Sequence, residues 1–126
     1  MATVQSNKAK GRNLQRWVAE RLSLLSGIPW GPEDEKEIQS RPMGQPGVDI
    51  ILRGEAAERF PFSFECKSGE SFQLVKSIEQ ARANEKKDRP WIIVHKRKKF
   101  RNPIVMMDWD TFADLLRNKL DNENDS

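Results

Sequence analysis

The sequence predicts an α/β domain in the order α-β-β-α-β-β-α, with a mixed sheet flanked by helices. Three observations lead there. Apolar residues recur at i, i+3, i+4 spacing in three segments. Four shorter segments alternate, or run apolar, over strand length. The two kinds of segment are interleaved along the chain rather than grouped.

The first helix is expected over residues 11–26, where Leu14, Trp17, Val18, Leu22 and Leu25 form one apolar stripe and Gly27 stops it. Residues 1–9 read as a flexible arm. Residues 29–47 hold Pro29, Pro32, Pro42 and Pro46 and the charged run Glu33-Asp34-Glu35-Lys36. They read as a loop, with room for a short helical turn after Pro32. A loop of this length in a small domain usually carries function.

Residues 48–53 (VDIILR) read as a strand. Residues 61–67 (PFSFECK) alternate, placing Phe62, Phe64 and Cys66 on one face and Ser63, Glu65 and Lys67 on the other. The link 54–60 makes the two strands a hairpin. A helix is expected over 71–87, with Phe72, Val75, Ile78 and Arg82 along one stripe. Residues 91–94 form a short apolar strand buried on both faces. Residues 103–107 form another, at an edge because of Pro103. Asp108 or Asp110 caps a last helix with the core face Phe112, Leu115, Leu116 and Leu120. Trp17, Trp91 and Trp109 fit core positions, and Trp30 a packing role in the loop.

The 126 residues fit one domain. No apolar run spans a bilayer, and the first residues lack the apolar stretch of a secretory signal. The expected location is the cytoplasm, or the host cytoplasm for a viral protein, with no membrane partner. A single cysteine, Cys66, excludes an intrachain disulfide, and one Cys with one His excludes a Cys/His zinc site.

The net charge is +3, and the tail at 121–126 carries three acids, so residues 1–120 stand at +6. Cations cluster at Lys8, Lys10, Arg12 and Arg16, and again at Lys96, Arg97, Lys98, Lys99 and Arg101. Such clusters point to a polyanion. The alternative is an ordinary solvated surface. His95 fits a structural or DNA-facing place better than a catalytic one. No helix-turn-helix or zinc finger is evident, which favours recognition of DNA structure over sequence.

Asp49, Glu65 and Lys67 carry the chemistry. Residues i and i+2 of a strand share a face, so Glu65 and Lys67 project together. Asp49 starts the neighbouring strand and reaches the same point. Phosphodiester hydrolysis needs a cation to polarise the phosphate and activate water. Two carboxylates supply hard oxygen ligands for Mg2+, or Mn2+ in its place. A lysine beside them orients water or steadies developing charge. Alone, a D…ExK match is common, and its alternative is a solvent-facing pair on a half-buried strand.

Five pieces in order extend the match: Lys10-Gly11-Arg12-Asn13-Leu14-Gln15-Arg16-Trp17, Met43-Gly44-Gln45-Pro46-Gly47-Val48-Asp49-Ile50, Phe62-Ser63-Phe64-Glu65-Cys66-Lys67, Glu79-Gln80-Ala81 and the strand at 90–94. This order resembles the PD-(D/E)XK nucleases. More narrowly, it resembles the archaeal-type Holliday junction resolvases and the small phage and prophage nucleases related to them. The resemblance implies a single restriction-endonuclease-like domain over 10–120, between the arm and the acidic tail 121–126. It implies a metal-dependent, structure-specific DNA endonuclease, a homodimer acting on branched DNA. The metal ligands would be Asp49, Glu65 and the main-chain carbonyl of Cys66, with Lys67 as the catalytic lysine. The resolvases complete the site with a glutamate on the first helix; that position here is Gln15, with Glu20 ranked below it. Gln80 occupies a position that often carries a polar site residue, its alternative being a solvent-facing helix position. The DNA contacts expected are Lys10, Arg12, Arg16, Ser40, Arg41, Lys96, Arg97, Lys98, Lys99 and Arg101. Other nuclease tasks, such as nicking or end processing, and a catalytically weak nucleic-acid-binding module are the alternatives.

Overall fold

The computed structural model describes residues 4–42 and 44–124. Met43, which belongs to one of the matched pieces, and the ends of the arm and the tail lie outside the described residues. Helix α1 spans Val4–Ser26, so the helix already begins where an arm was expected through residue 9. Leu14, Val18, Ala19 and Leu22 form its buried stripe. Leu25, expected in that stripe, is exposed, while Leu22 before it and Ile28 after it are buried. Gly27 ends the helix at φ 77°, its N–H returning to the Ser23 carbonyl at 2.7 Å.

Residues 29–47 are less irregular than their prolines imply. They contain β1 (Trp30–Gly31) and β2 (Ile38–Ser40), which pair in parallel. Strand β3 (Ile50–Leu52) pairs antiparallel with β2, Ser40 opposite Ile50. The expected hairpin between residues 48–53 and 61–67 is therefore corrected. The segment between them folds as α2 (Gly54–Arg59), with Glu55 in its first turn bonded to Arg59 in its last at 2.8 Å. Glu37 anchors it by accepting the Ala56 N–H at 3.1 Å.

Strand β4 (Ser63–Ser68) instead pairs in parallel with β5 (Trp91–Lys96), with helix α3 (Leu74–Asn84) as the crossover. Strand β6 (Ile104–Met106) adds antiparallel to β5, and α4 (Trp109–Asn124) follows. The chain is α/β, with two three-stranded mixed sheets and four helices among the described residues. Its order is α-β-β-β-α-β-α-β-β-α, a correction of the α-β-β-α-β-β-α expected with one central sheet. None of the described helices is long and apolar enough to cross a membrane.

Strand β5 divides the core. Ile92 and Val94 join Phe64, Ile38, Ile50 and the α1 stripe on one face. Trp91 and Ile93 join Ala81, with Phe72, Ile78 and Met106 packed around them, on the other. Helix α3 buries Ser77 and Ala81; of the expected stripe Phe72 and Ile78 pack against the core, while Val75 and Arg82 are exposed. Arg82 reaches Asp108 at 3.4 Å outside the core. The last helix also departs from expectation. Phe112, Leu115, Leu116 and Leu120 are exposed, as is Trp109, and Thr111 is its buried residue. Strand β6 is the outer strand of its sheet, and among the described residues no sheet lies against the apolar side of α4.

Ile93 is fully buried opposite Glu65 in the β4–β5 register. Ile93→Ala is expected to lower unfolding free energy by about 2–5 kcal/mol in urea denaturation. A loss below about 1 kcal/mol would place the core elsewhere.

Candidate active site

Strand β4 has β5 along one edge and leaves the other edge open beside β3. At Asp49, just before β3, the two sheets meet. The Asp49 N–H donates to the Phe64 carbonyl at 3.0 Å, and the Cys66 N–H donates to Asp49 Oδ2 at 2.7 Å. One residue therefore meets the open edge of β4 with both its main chain and its carboxylate. The Arg41 N–H donates to the Asp49 carbonyl at 2.9 Å, and Arg41 Nε donates to the Val48 carbonyl. Gly47 sits at φ 112°, a backbone conformation that favours glycine, and a Cβ there would press on the Arg41 guanidinium at 3.0 Å.

The second oxygen of Asp49 is held from α1: Gln15 Nε2 donates to Oδ1 at 3.0 Å. Gln15 is buried and Glu20 exposed on the same helix. The structure thus brings Gln15 to Asp49 and leaves Glu20 away. Across β4, Glu65 is 3% exposed, and its Oε1 accepts Asn84 Nδ2 at 3.1 Å. Lys67 Nζ donates to Gln80 Oε1 at 2.6 Å. Gln80 and Asn84 stand four residues apart on α3, one above the other on its inner face. Sequence reasoning reached Gln80 but missed Asn84. That same spacing was the signal that could have found it.

Electrostatics ties these groups into one site. Burial, then the charge of Asp49, pushes the Glu65 carboxyl up to about 7. Burial also raises Asp49, against the lowering effect of the Cys66 N–H, Glu65 and Lys67. Two acids that repel each other in a desolvated place, with one ammonium nearby, suit a hard divalent cation. Among the described residues no cluster of three or more His, Cys, Asp or Glu exists, so a cation would take two carboxylates and complete its shell with carbonyls and water. The Cys66 carbonyl leaves β4 on the same edge as its N–H, toward Asp49. The Cys66 thiol points into the apolar core, and burial with the two acids pushes it well up, so it stays a neutral thiol.

The expected DNA contacts divide. Arg12, Arg16, Ser40 and Arg41 line one cavity of about 210 Å³ together with Gln15, Pro32 and Pro42. Lys10 is exposed on α1. Lys96 is turned inward, donating to the Arg97 carbonyl at 2.9 Å and to the Phe100 carbonyl, and Arg97 pairs with Glu70 at 3.3 Å. Lys98, Lys99 and Arg101 are exposed and make no ion pair among the described residues. His95 is buried, stacked on Phe72 at 4.0 Å, with Nε2 3.3 Å from the Gly69 carbonyl, so its place is structural.

Glu65 holds its proton more tightly in the folded chain than in the unfolded one. The contribution of Glu65 to the stability of the metal-free chain is therefore fully present below 4.5 and is lost as pH rises through about 7. Thermal melts in EDTA should show Tm falling across that window for the wild type and a flatter profile for Glu65→Gln. An identical slope in both would place the titration elsewhere.

No protein-family model, no curated protein and no solved structure matches the chain.

Proposed function

We propose that the chain is a metal-dependent endodeoxyribonuclease that hydrolyses phosphodiester bonds in branched DNA, as a Holliday junction resolvase does. The observation that carries this reading is the convergence of Asp49, from the turn before β3, and Glu65, from β4, beside Lys67. Gln15 reaches Asp49 from a helix 34 residues away in sequence.

Asp49, Glu65 and the Cys66 carbonyl are the residues that would hold Mg2+, or Mn2+ in its place. The bound cation supplies positive charge to polarise the phosphodiester and to activate water at neutral pH. Each remaining residue has a definite task. Gln15 and Asn84 fix the two carboxylates by hydrogen bonds. Gln80 holds the Lys67 ammonium, which offsets the charge growing on the phosphate. Arg12, Arg16 and Arg41 share a cavity with Gln15, where they would meet DNA phosphates and make binding salt-dependent. Cutting two strands symmetrically needs two sites. The exposed apolar residues of β6 and α4, among them Val105, Phe112 and Leu116, favour a homodimer through that face.

One observation favours a second reading. Gln15 meets Asp49 with its amide nitrogen, a donor, so the site has two acids where a third would add charge. A catalytically weak nucleic-acid-binding module is the consequence if two acids do not suffice.

A labelled four-way junction and the matching linear duplex, each with Mg2+, Mn2+ or EDTA, test both readings. The wild type is expected to cut the junction with metal, with little duplex cleavage, and Asp49→Ala to be slower by roughly 100-fold or more. Equal cutting of both substrates overturns the junction preference and keeps the nuclease. Binding without cutting under every metal overturns the enzyme and leaves the binding module.

A further inference from the structure

On the Lys67 side of the acids lies a second cavity of about 310 Å³, lined by Lys67, Ser68, Ser71, Phe72, Gln73, Lys76, Ser77 and Gln80. It shares Lys67 and Gln80 with the site above; the rest of its wall is the loop after β4 and the first turns of α3.

Four features give this cavity the chemistry of an anion site. Two ammonium groups, Lys67 and Lys76, border it. It opens at the N-terminal end of the 11-residue α3, whose first turn contains no acid and whose cap residue, Gln73, makes no side-chain capping bond. The free N–H groups and positive dipole end of that turn are thus available. Ser77 is only 7% exposed and borders the cavity, and its hydroxyl has no hydrogen-bond partner among the described residues, which leaves it free to donate into that space. Ser68, Ser71, Gln73 and Lys76 add further polar side chains to the same wall. Donors gathered around one space match a ligand that brings acceptor oxygens and negative charge.

Size and wall narrow the class. The volume is at the low end for small-molecule sites and on the scale of one nucleotide unit. Phe72, braced from behind by His95, supplies an apolar wall for a sugar or base. We propose that the cavity is a nucleotide subsite, holding the phosphate and sugar next to the reacting phosphodiester. This rests on the nuclease reading: the strand runs from the arginine-lined cavity beside Gln15, over Asp49 and Glu65, to Lys76 and Ser77. Lys76 and Ser77 would then contact substrate without touching the reacting atoms.

The test uses the full chain in EDTA, titrated with deoxythymidine 3′,5′-bisphosphate and followed by amide chemical shifts. Saturable shifts are expected at residues 71–77, with affinity about tenfold weaker in Lys76→Ala and in Ser77→Ala, equivalent to about 1.4 kcal/mol. Deoxythymidine without phosphates, and inorganic phosphate alone, should each bind more weakly than the bisphosphate. Shifts confined to the surroundings of Arg12, Arg16 and Arg41, or unchanged affinity in both variants that keep the wild-type fold spectrum, overturn the subsite. Inorganic phosphate binding as tightly as the bisphosphate overturns its nucleotide class. Because the titration needs neither metal nor cleavage, it separates the two ideas. A chain that binds the bisphosphate here but never cuts DNA loses the nuclease reading alone. A chain that cuts DNA but binds no bisphosphate loses the subsite alone.

Discussion

Asp49 closes the open edge of β4. Its N–H bonds the Phe64 carbonyl, and its carboxylate takes the Cys66 N–H that a neighbouring strand would otherwise have taken. A carboxylate in place of a strand carbonyl does two things together. It satisfies a buried main-chain donor, and it leaves a negative group fixed at the junction of two sheets. The rest of the site is arranged around this point. Gln15 holds the free side of the carboxylate, Glu65 stands next to it on β4, and Lys67 follows one pleat later.

Burying two acids this close is unfavourable, and the raised Glu65 carboxyl is the measure of it. The surroundings offset the burden only in part. Gln15, Asn84 and the Cys66 N–H donate to the pair, while Lys67 is itself occupied by Gln80. Partial compensation is what a cation site wants before the cation arrives: hydrogen bonds that fix the ligands, with charge left over. Full neutralisation by a buried arginine would stabilise the fold and abolish the site.

Much of the site was legible because strand alternation is rigid. Once PFSFECK is a strand, Glu65 and Lys67 share a face and Cys66 belongs to the core. Where fold detail was missed, the reason is length. Strands β1 and β2 have two and three residues, too few for any period to show, and they hide among prolines. Helix α2 was legible in Glu55-Ala56-Ala57-Glu58-Arg59, all good helix formers, but a hairpin was the simpler link. The α3 stripe was misjudged because apolar residues were assumed to face inward. Here Ser77 and Ala81 are the buried residues, Ile78 packs beside them, and Gln80 and Asn84 turn toward Lys67 and Glu65. Helix α4 misled in the same way, since an amphipathic pattern states that a face needs covering and not what covers it.

The central claim is that Asp49 and Glu65 form one cation site. Mn2+ titration at neutral pH, read by the loss of the free-ion paramagnetic resonance signal, addresses it without any DNA. The account predicts saturable uptake at one site per chain, displaced by Mg2+ and abolished in Glu65→Gln, a variant that keeps the side chain's shape and removes its charge. Saturable uptake undiminished in Glu65→Gln, or no uptake by the wild type, would contradict it.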